Sequence, residues 1–313
     1  VTVDAARSPV VVGIGAGGPG GDALDWGAAE AAARGSPLRL VHAVPTRLVV
    51  DPWGLAPPGD GPRSAGPLVE AALRRARTVA PDVEVSGHVL LGGPAAVLAQ
   101  QSRAAALLVL GDGREAGSGG GWPAGVLRAR LATRSACPVV VVRTRPPVPE
   151  APTAPRVVVG VDAGRSCVAA LGFALGAAAQ RGVPLVVVHA WAEDAPADLE
   201  GVCAAPAVVE AEARKTLDAV LDRWCPRSPA VPVHRRTVHG TPAAALLAAS
   251  RGAALVVVGC RGHGPLRTWL SGSVSRAVAR SASCPVAVVG ADCTVPPGSS
   301  TARLPGRRAT PGG

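Results

Sequence analysis

Three glycines and a serine, spaced Gly259-x2-Gly262-x9-Gly272-Ser273, are the residues of this chain best suited to chemistry. Gly259 and Gly262 let backbone amides approach a phosphate closely, because no Cβ stands in the way. Gly272-Ser273 opens a helical pattern in which Val274, Ala277 and Val278 recur at helical spacing. A helix start presents N–H groups without intrahelical partners and the positive end of the dipole, and the Ser273 and Ser275 hydroxyls add donors. Arg261, His263 and Gly264 lie inside the same loop, with Arg267 just beyond. The arrangement is an anion cradle. His263 reads equally well as a ligand contact and as an exposed loop residue.

Other candidate chemistry is weaker. Gly13, Gly15 and Gly18 spell the dinucleotide-binding fingerprint Gly-x-Gly-x-x-Gly, yet the next strand ends His42-Ala43-Val44-Pro45 without the acidic residue that would hold a ribose. A phosphate loop of the Gly-x4-Gly-Lys type is excluded, since Lys215 is the sole lysine and stands far from such a run. Ser166 has no evident Ser-His-Asp partners, and no Gly-x-Ser-x-Gly elbow follows a strand. Seven cysteines without a Cys-x-x-Cys pair argue against a disulfide framework and a zinc site. Cys137 and Cys284 each precede a proline and read as buried packing residues, while His42 and His189 read as structural. No catalytic or metal-binding residues are assigned, and hydrolysis of any bound nucleotide is expected to be slow or absent.

The elements that must position the cradle emerge when the chain is aligned with itself. PVVVGIG from Pro9 returns as RVVVGVD from Arg156, and GSPLRLVHAV from Gly35 returns as GVPLVVVHAW from Gly182, both at a shift of 147 residues. GGPAAVLAQQSRAAALLVLG, ending at Gly111, returns at a shift of 148 with Gly259 matching Gly111, and SACPVVVV from Ser135 returns as SASCPVAVV ending at Val289. This gives a first domain over 1–143, a Pro-rich linker over 144–155, a second domain over 156–290 and a disordered tail over 291–313. In the second copy, unalternating Val/Leu runs predict strands at Val157–Val161, Leu185–Trp191, Val231–Val238, Leu255–Gly259 and Val286–Val289. Helices are predicted at Cys167–Arg181, Ala207–Trp224, Pro242–Ser250 and Ser273–Ser281. Alternation of the two predicts an α/β fold, with two tandem doubly wound domains of about five strands each. In such sheets the ligand site lies beyond the carboxyl ends of the first and fourth strands.

Together with VVVGVD at the start of the second copy and HGTP before its third helix, the glycine spacing resembles the ATP-binding branch of the universal stress protein family. The resemblance spans nearly the whole chain. It implies a five-stranded parallel sheet of order 3-2-1-4-5 in each domain, of the adenine nucleotide alpha hydrolase-like kind, with ATP, as its magnesium complex, at the switch point. Carried onto this sequence, it implies that Gly160 and Asp162 lie against the nucleoside. The Val188 backbone would meet adenine, and Gly259, Gly262, Gly272 and Ser273 would hold the phosphates, flanked by Arg261, His263, Gly264, Val274 and Ser275. Ala163-Gly164 follows Asp162 where the family often has Gly-Ser. The first copy departs further, with Gly15 at the Asp162 position, Arg114 in place of Gly262 and Val126 in place of Ser273. It is expected to have lost the site. The resemblance also implies an intramolecular pseudo-dimer through the last strands, with a homodimer of whole chains as a further option.

Composition bounds the remaining readings. Apolar residues make up 48% of the 313 residues and aromatics 2%, so the core must come from Val, Leu and Ala, and base-stacking platforms are nearly ruled out. The +10 formal charge rests on Arg, which fits a solvated surface better than a polyanion site, so nucleic acid is an unlikely partner. No apolar run reaches membrane-spanning length and no signal peptide is evident, so a cytoplasmic protein is expected. The leading reading is a nucleotide-dependent stress-response regulator that binds ATP in its second domain. Its alternatives are an NAD(P)-dependent oxidoreductase using the Gly13 loop and an Arg-rich nucleic-acid-associated protein.

Overall fold

A computed structural model describes residues 8–15, 18, 21–45, 61–112, 127, 130–131, 133–143, 154–162, 166–191, 206–224, 231–260, 273–291 and 293. The first half runs β1 (Val10–Ile14), α1 (Gly21–Arg34), β2 (Leu38–Val44), α2 (Gly61–Val79), β3 (Val85–Leu91), α3 (Pro94–Gln101), β4 (Leu107–Gly111) and β5 (Val139–Val142). The second runs β6 (Val157–Gly160), α4 (Ser166–Arg181), β7 (Leu185–Trp191), α5 (Pro206–Trp224), β8 (Val233–His239), α6 (Pro242–Ala249), β9 (Leu255–Cys260), α7 (Ser273–Ser281) and β10 (Val286–Gly290). Most of the predicted linker and tail lies outside the described residues. Among the described residues no helix is long and apolar enough to cross a membrane.

Each half is a parallel sheet of order 3-2-1-4-5, as expected, and the two merge into one ten-stranded sheet, β3-β2-β1-β4-β5-β10-β9-β6-β7-β8. The seam is the antiparallel pair β5–β10, in which Val140 faces Ala287, its own counterpart at a shift of 147 residues. The two halves are therefore related by a pseudo-twofold axis through that pair. Central strands are buried on both faces. One face of β6 and β9, with Val157, Val159 and Val257, packs under α4 and α5, and the other, with Val158, Val256 and Val258, packs under α6 and α7.

Most boundaries of the second half fall within one residue of the sequence-based expectation, and two departures have a specific cause. The strand predicted from Val231 starts at Val233, because Pro232 has no N–H to give the ladder; its carbonyl accepts from Leu185 N at 2.9 Å. Helix α6 stops at Ala249 because the Ser250 hydroxyl turns back to Leu247 O, 2.7 Å away, and accepts the Ser283 N–H at 3.2 Å. Ser102 repeats this in the first half, bonding Ala99 O and the Ala136 N–H.

Cys137 and Cys284 are both buried where β5 and β10 begin. Burial pushes the Cys137 thiol up from 9.0 to about 12. Between those two values the unfolded chain releases the proton and the folded chain keeps it. The stability this thiol contributes is therefore complete below pH 9.0 and is lost as the pH rises through about 12. Melting curves across that window should show the wild type losing its advantage over Cys137→Ala as pH rises; a gap independent of pH would mean that the thiol ionises freely in the folded state.

Candidate functional site

From β6 the chain moves to β7 on one side, and from β9 it moves to β10 on the other, so the order reverses between these neighbours. Helix α4 leaves to one face and α7 to the opposite face, which opens a crevice beyond the carboxyl ends of β6 and β9. Gly160 stands at its floor. A Cβ there would lie 2.8 Å from Leu246 Cδ1, so glycine is what lets α6 close over the end of β6.

The next residue is pinned from two directions. Val161 N donates to Val188 O at 3.0 Å, and Val161 O accepts from His189 Nδ1 at 3.0 Å. A carbonyl can only accept, so Nδ1 carries the proton. His42 and Ile14 O repeat the contact at 2.9 Å in the first half. Both histidines thus hold the turn after a central strand, and in the second half that turn presents Asp162, which is half-buried. Asp162 is close enough to act on Cys167 in the first turn of α4, whose thiol is pushed up by burial first and by this carboxylate second. Burial also pushes up the Cys260 thiol at the end of β9.

On the other side of the crevice α7 begins with Ser273 exposed, Val274 packed against the α6/α7 core and Ser275 buried, and its first turn carries no acidic residue. Ser273 is thus the hydroxyl that faces out from the helix start. Arg261, Gly262, His263, Gly264 and Gly272 lie outside the described residues. Val188 is 2% exposed and its carbonyl accepts from Val161 N. Two residues further on the same face, Ala190 is half-buried and reaches the lip. Strand alternation alone points to this pair, and only the depth of the sheet separates them.

The HGTP run has a backbone explanation. Gly240 has φ of +122° and its N–H donates to Trp191 O at 2.8 Å, closing β7 against β8. Thr241 Oγ1 then accepts from Ala244 N at 3.3 Å and Pro242 occupies the first turn of α6. At the same lip the Trp191 and His239 rings stand 4.7 Å apart. Neither ring was singled out from sequence, because one lies at the end of an apolar run and the other inside the HGTP motif.

The described residues of the first half repeat this packing and differ in where the carboxylate lies. Gly13 lies within β1, where a Cβ would meet Leu110 Cδ2 at 3.0 Å and Leu98 Cδ1 at 3.3 Å, so its role is close packing. Continuing the β1–β4 register two residues sets Gly15 beside Asp112; the same continuation from β6–β9 sets Asp162 beside Cys260. Among the described residues the two crevices therefore draw a carboxylate from opposite strands. Asp112, 9% exposed, stands where the second half begins its glycine loop, a position that composition could not reveal. Among the described residues no group of three or more His, Cys, Asp or Glu side chains is arranged to hold a metal.

The universal stress protein family profile matches residues 7–143 and, separately, residues 154–290. The chain belongs to the universal stress protein family. This tandem universal stress protein is 34% identical over 287 residues to the universal stress protein Rv2005c of Mycobacterium tuberculosis, covering 89% of this chain and 96% of that relative. It is 33% identical over 299 residues to Rv1996 of the same organism, covering 89% and 94%. A universal stress protein structure from Archaeoglobus fulgidus superposes with a TM-score of 0.63 at 16% identity, over 91% of this chain and 99% of that one. One assigned to the family in Pseudomonas aeruginosa gives 0.60 at 18%, over 92% and 95%. These two likenesses concern the fold.

Proposed function

We propose that this tandem universal stress protein binds one ATP, as its magnesium complex, in the crevice between β6 and β9 and serves as a nucleotide-dependent regulator in the stress response. The observation that carries the reading is the asymmetry of the two crevices. In the second half an exposed Ser273 hydroxyl opens α7, whose first turn is free of acid, opposite a half-buried Asp162. In the first half the carboxylate comes instead from Asp112, which follows β4 and is buried.

The residues present fit the group. Helix α7 offers N–H donors and a favourable dipole to phosphate oxygens, while Asp162 can accept from nucleoside hydroxyls. Ala190, half-buried near the end of β7, leaves the sheet edge low enough for a base to approach. Magnesium would neutralise phosphate charge without calling on a protein metal site. The site is one for binding, and the signal would be occupancy rather than turnover.

Mass spectrometry of small molecules released from the purified chain, with equilibrium dialysis against Mg·ATP, tests the reading. One ATP per chain is expected. A saturating nucleotide at about a hundred times its Kd should also add about 2.7 kcal/mol to stability. Binding of NADH with none of ATP would replace this reading with the oxidoreductase alternative, and two ATP per chain would refute the single-site claim.

A further inference from the structure

Where α1 and α4 approach each other over the seam, one carboxylate serves two guanidinium groups. Glu30, 4% exposed, accepts from Arg34 Nε through Oε1 at 2.6 Å and from Arg181 Nη2 through Oε2. Arg34 lies 5.7 Å over the Phe173 ring and Arg181 lies 5.9 Å over the Trp26 ring. These contacts are reciprocal: Arg34 and Arg181 are counterparts at a shift of 147 residues, and so are Trp26 and Phe173. The counterpart of Glu30 is Ala177, which is 1% exposed. A residue bonded equally to Arg34 and to its own counterpart lies on the pseudo-twofold axis, and that axis has a single position for it.

We infer that this axial position holds one carboxylate only, and that Glu30, by filling it for both halves, matches each half to the other and not to a second copy of itself. Two first halves meeting in the same way would bring two carboxylates to one point. Two second halves would bring two arginines and no carboxylate. The first pairing brings its own two Arg34 side chains and so balances charge, but it crowds a second glutamate into the place held here by Ala177, which is 1% exposed and leaves no room for it. The second leaves two guanidinium groups with no carboxylate in a largely desolvated place, where an unpaired charge is strongly destabilising. The pairing of unlike halves alone satisfies the site. The aromatic rings add cation–π attraction in every combination and so do not discriminate.

The full-length chain can be tested by moving the carboxylate. In Ala177→Glu the new carboxylate would stand four residues before Arg181, as Glu30 stands four before Arg34. Urea unfolding of four proteins reads the result: wild type, Glu30→Ala, Ala177→Glu, and the double change Glu30→Ala with Ala177→Glu. Loss of the carboxylate should lower the midpoint by about 1 M, addition of a second should also lower it, and the double change should recover at least half of the Glu30→Ala loss. Should the larger side chain at 177 disturb packing, Glu30→Ala with Arg181→Met gives an independent reading, because removing the orphaned cation should raise the midpoint above that of Glu30→Ala alone. The inference is overturned if neither double variant is more stable than Glu30→Ala, or if Ala177→Glu alone is as stable as wild type.

Discussion

Ser273→Glu is expected to remove ATP binding from the purified chain while leaving its melting temperature unchanged or slightly raised. The two effects separate because they act on the same dipole with opposite partners. A carboxylate in the first turn of α7 interacts favourably with the helix N-terminus, by about 0.3–1 kcal/mol, and Ser273 is exposed, so no packing is lost. To an incoming triphosphate the same carboxylate is a like charge. At an effective dielectric near 20 and about 4 Å, repulsion costs roughly 4 kcal/mol per pair of unit charges. Losing the hydroxyl donor adds about 1.5–3 kcal/mol where the acceptor is charged. Affinity should therefore fall by about a thousandfold or more, a loss that titration calorimetry would register as no measurable heat. Gly272→Asp should act in the same direction. The corresponding change at Gly125 in the first half should leave stoichiometry untouched. Equal losses from both halves would show that the first crevice also binds.

The difference between the halves was partly visible in the sequence, and the limits of that visibility have physical causes. The 147-residue repeat, the unalternating Val runs and the helical spacing of Val274 and Val278 sufficed for two parallel sheets of order 3-2-1-4-5, because those patterns report burial directly. His42 and His189 could be read as structural because they recur at the same place. Depth along a strand was not legible: Val188 and Ala190 share a face, and only the sheet shows that the first is interior and the second at the lip. Nor was Glu30, whose spacing to Arg34 looks like an ordinary surface pair; its second partner, Arg181, is 151 residues away. Gly13, Gly15 and Gly18 spell a dinucleotide-binding fingerprint, already weak for want of an acidic ribose partner, because a packing glycine and a binding glycine are the same letter. It is the neighbouring Leu98 and Leu110 that distinguish them.

Val286→Asp should abolish cooperative folding, whereas Val89→Asp should be nearly neutral, although both replace valine by aspartate in a strand of the same sheet. The outer strands β3 and β8 carry His88 and the pair Arg235 and Arg236, and Val89 is 37% exposed. Charged and polar side chains are the usual protection of a sheet edge, so a carboxylate there is tolerated within about 0.5 kcal/mol. Strands β5 and β10 read VVVV and VAVVG, sequences with nothing to blunt an edge. They are viable because each covers the other. Val286 is 0% exposed, pairs with Val141 across the seam and Val256 within its half, and faces Val278 and Ala282 of the α7 layer. An aspartate at that place has no cation among these neighbours and must be either a desolvated anion or a neutralised acid. Burying the group unpaired, with the valine packing gone, costs several kcal/mol, of the order of a whole domain's stability of about 5–15 kcal/mol. Gel filtration and urea titration of both variants give the comparison. A Val286→Asp chain that elutes and unfolds like wild type would mean that this part of β10 is not buried in solution. The same mutational logic explains why the halves are joined here at all: separated, each would expose a fully apolar edge strand, the arrangement most prone to pair with other chains.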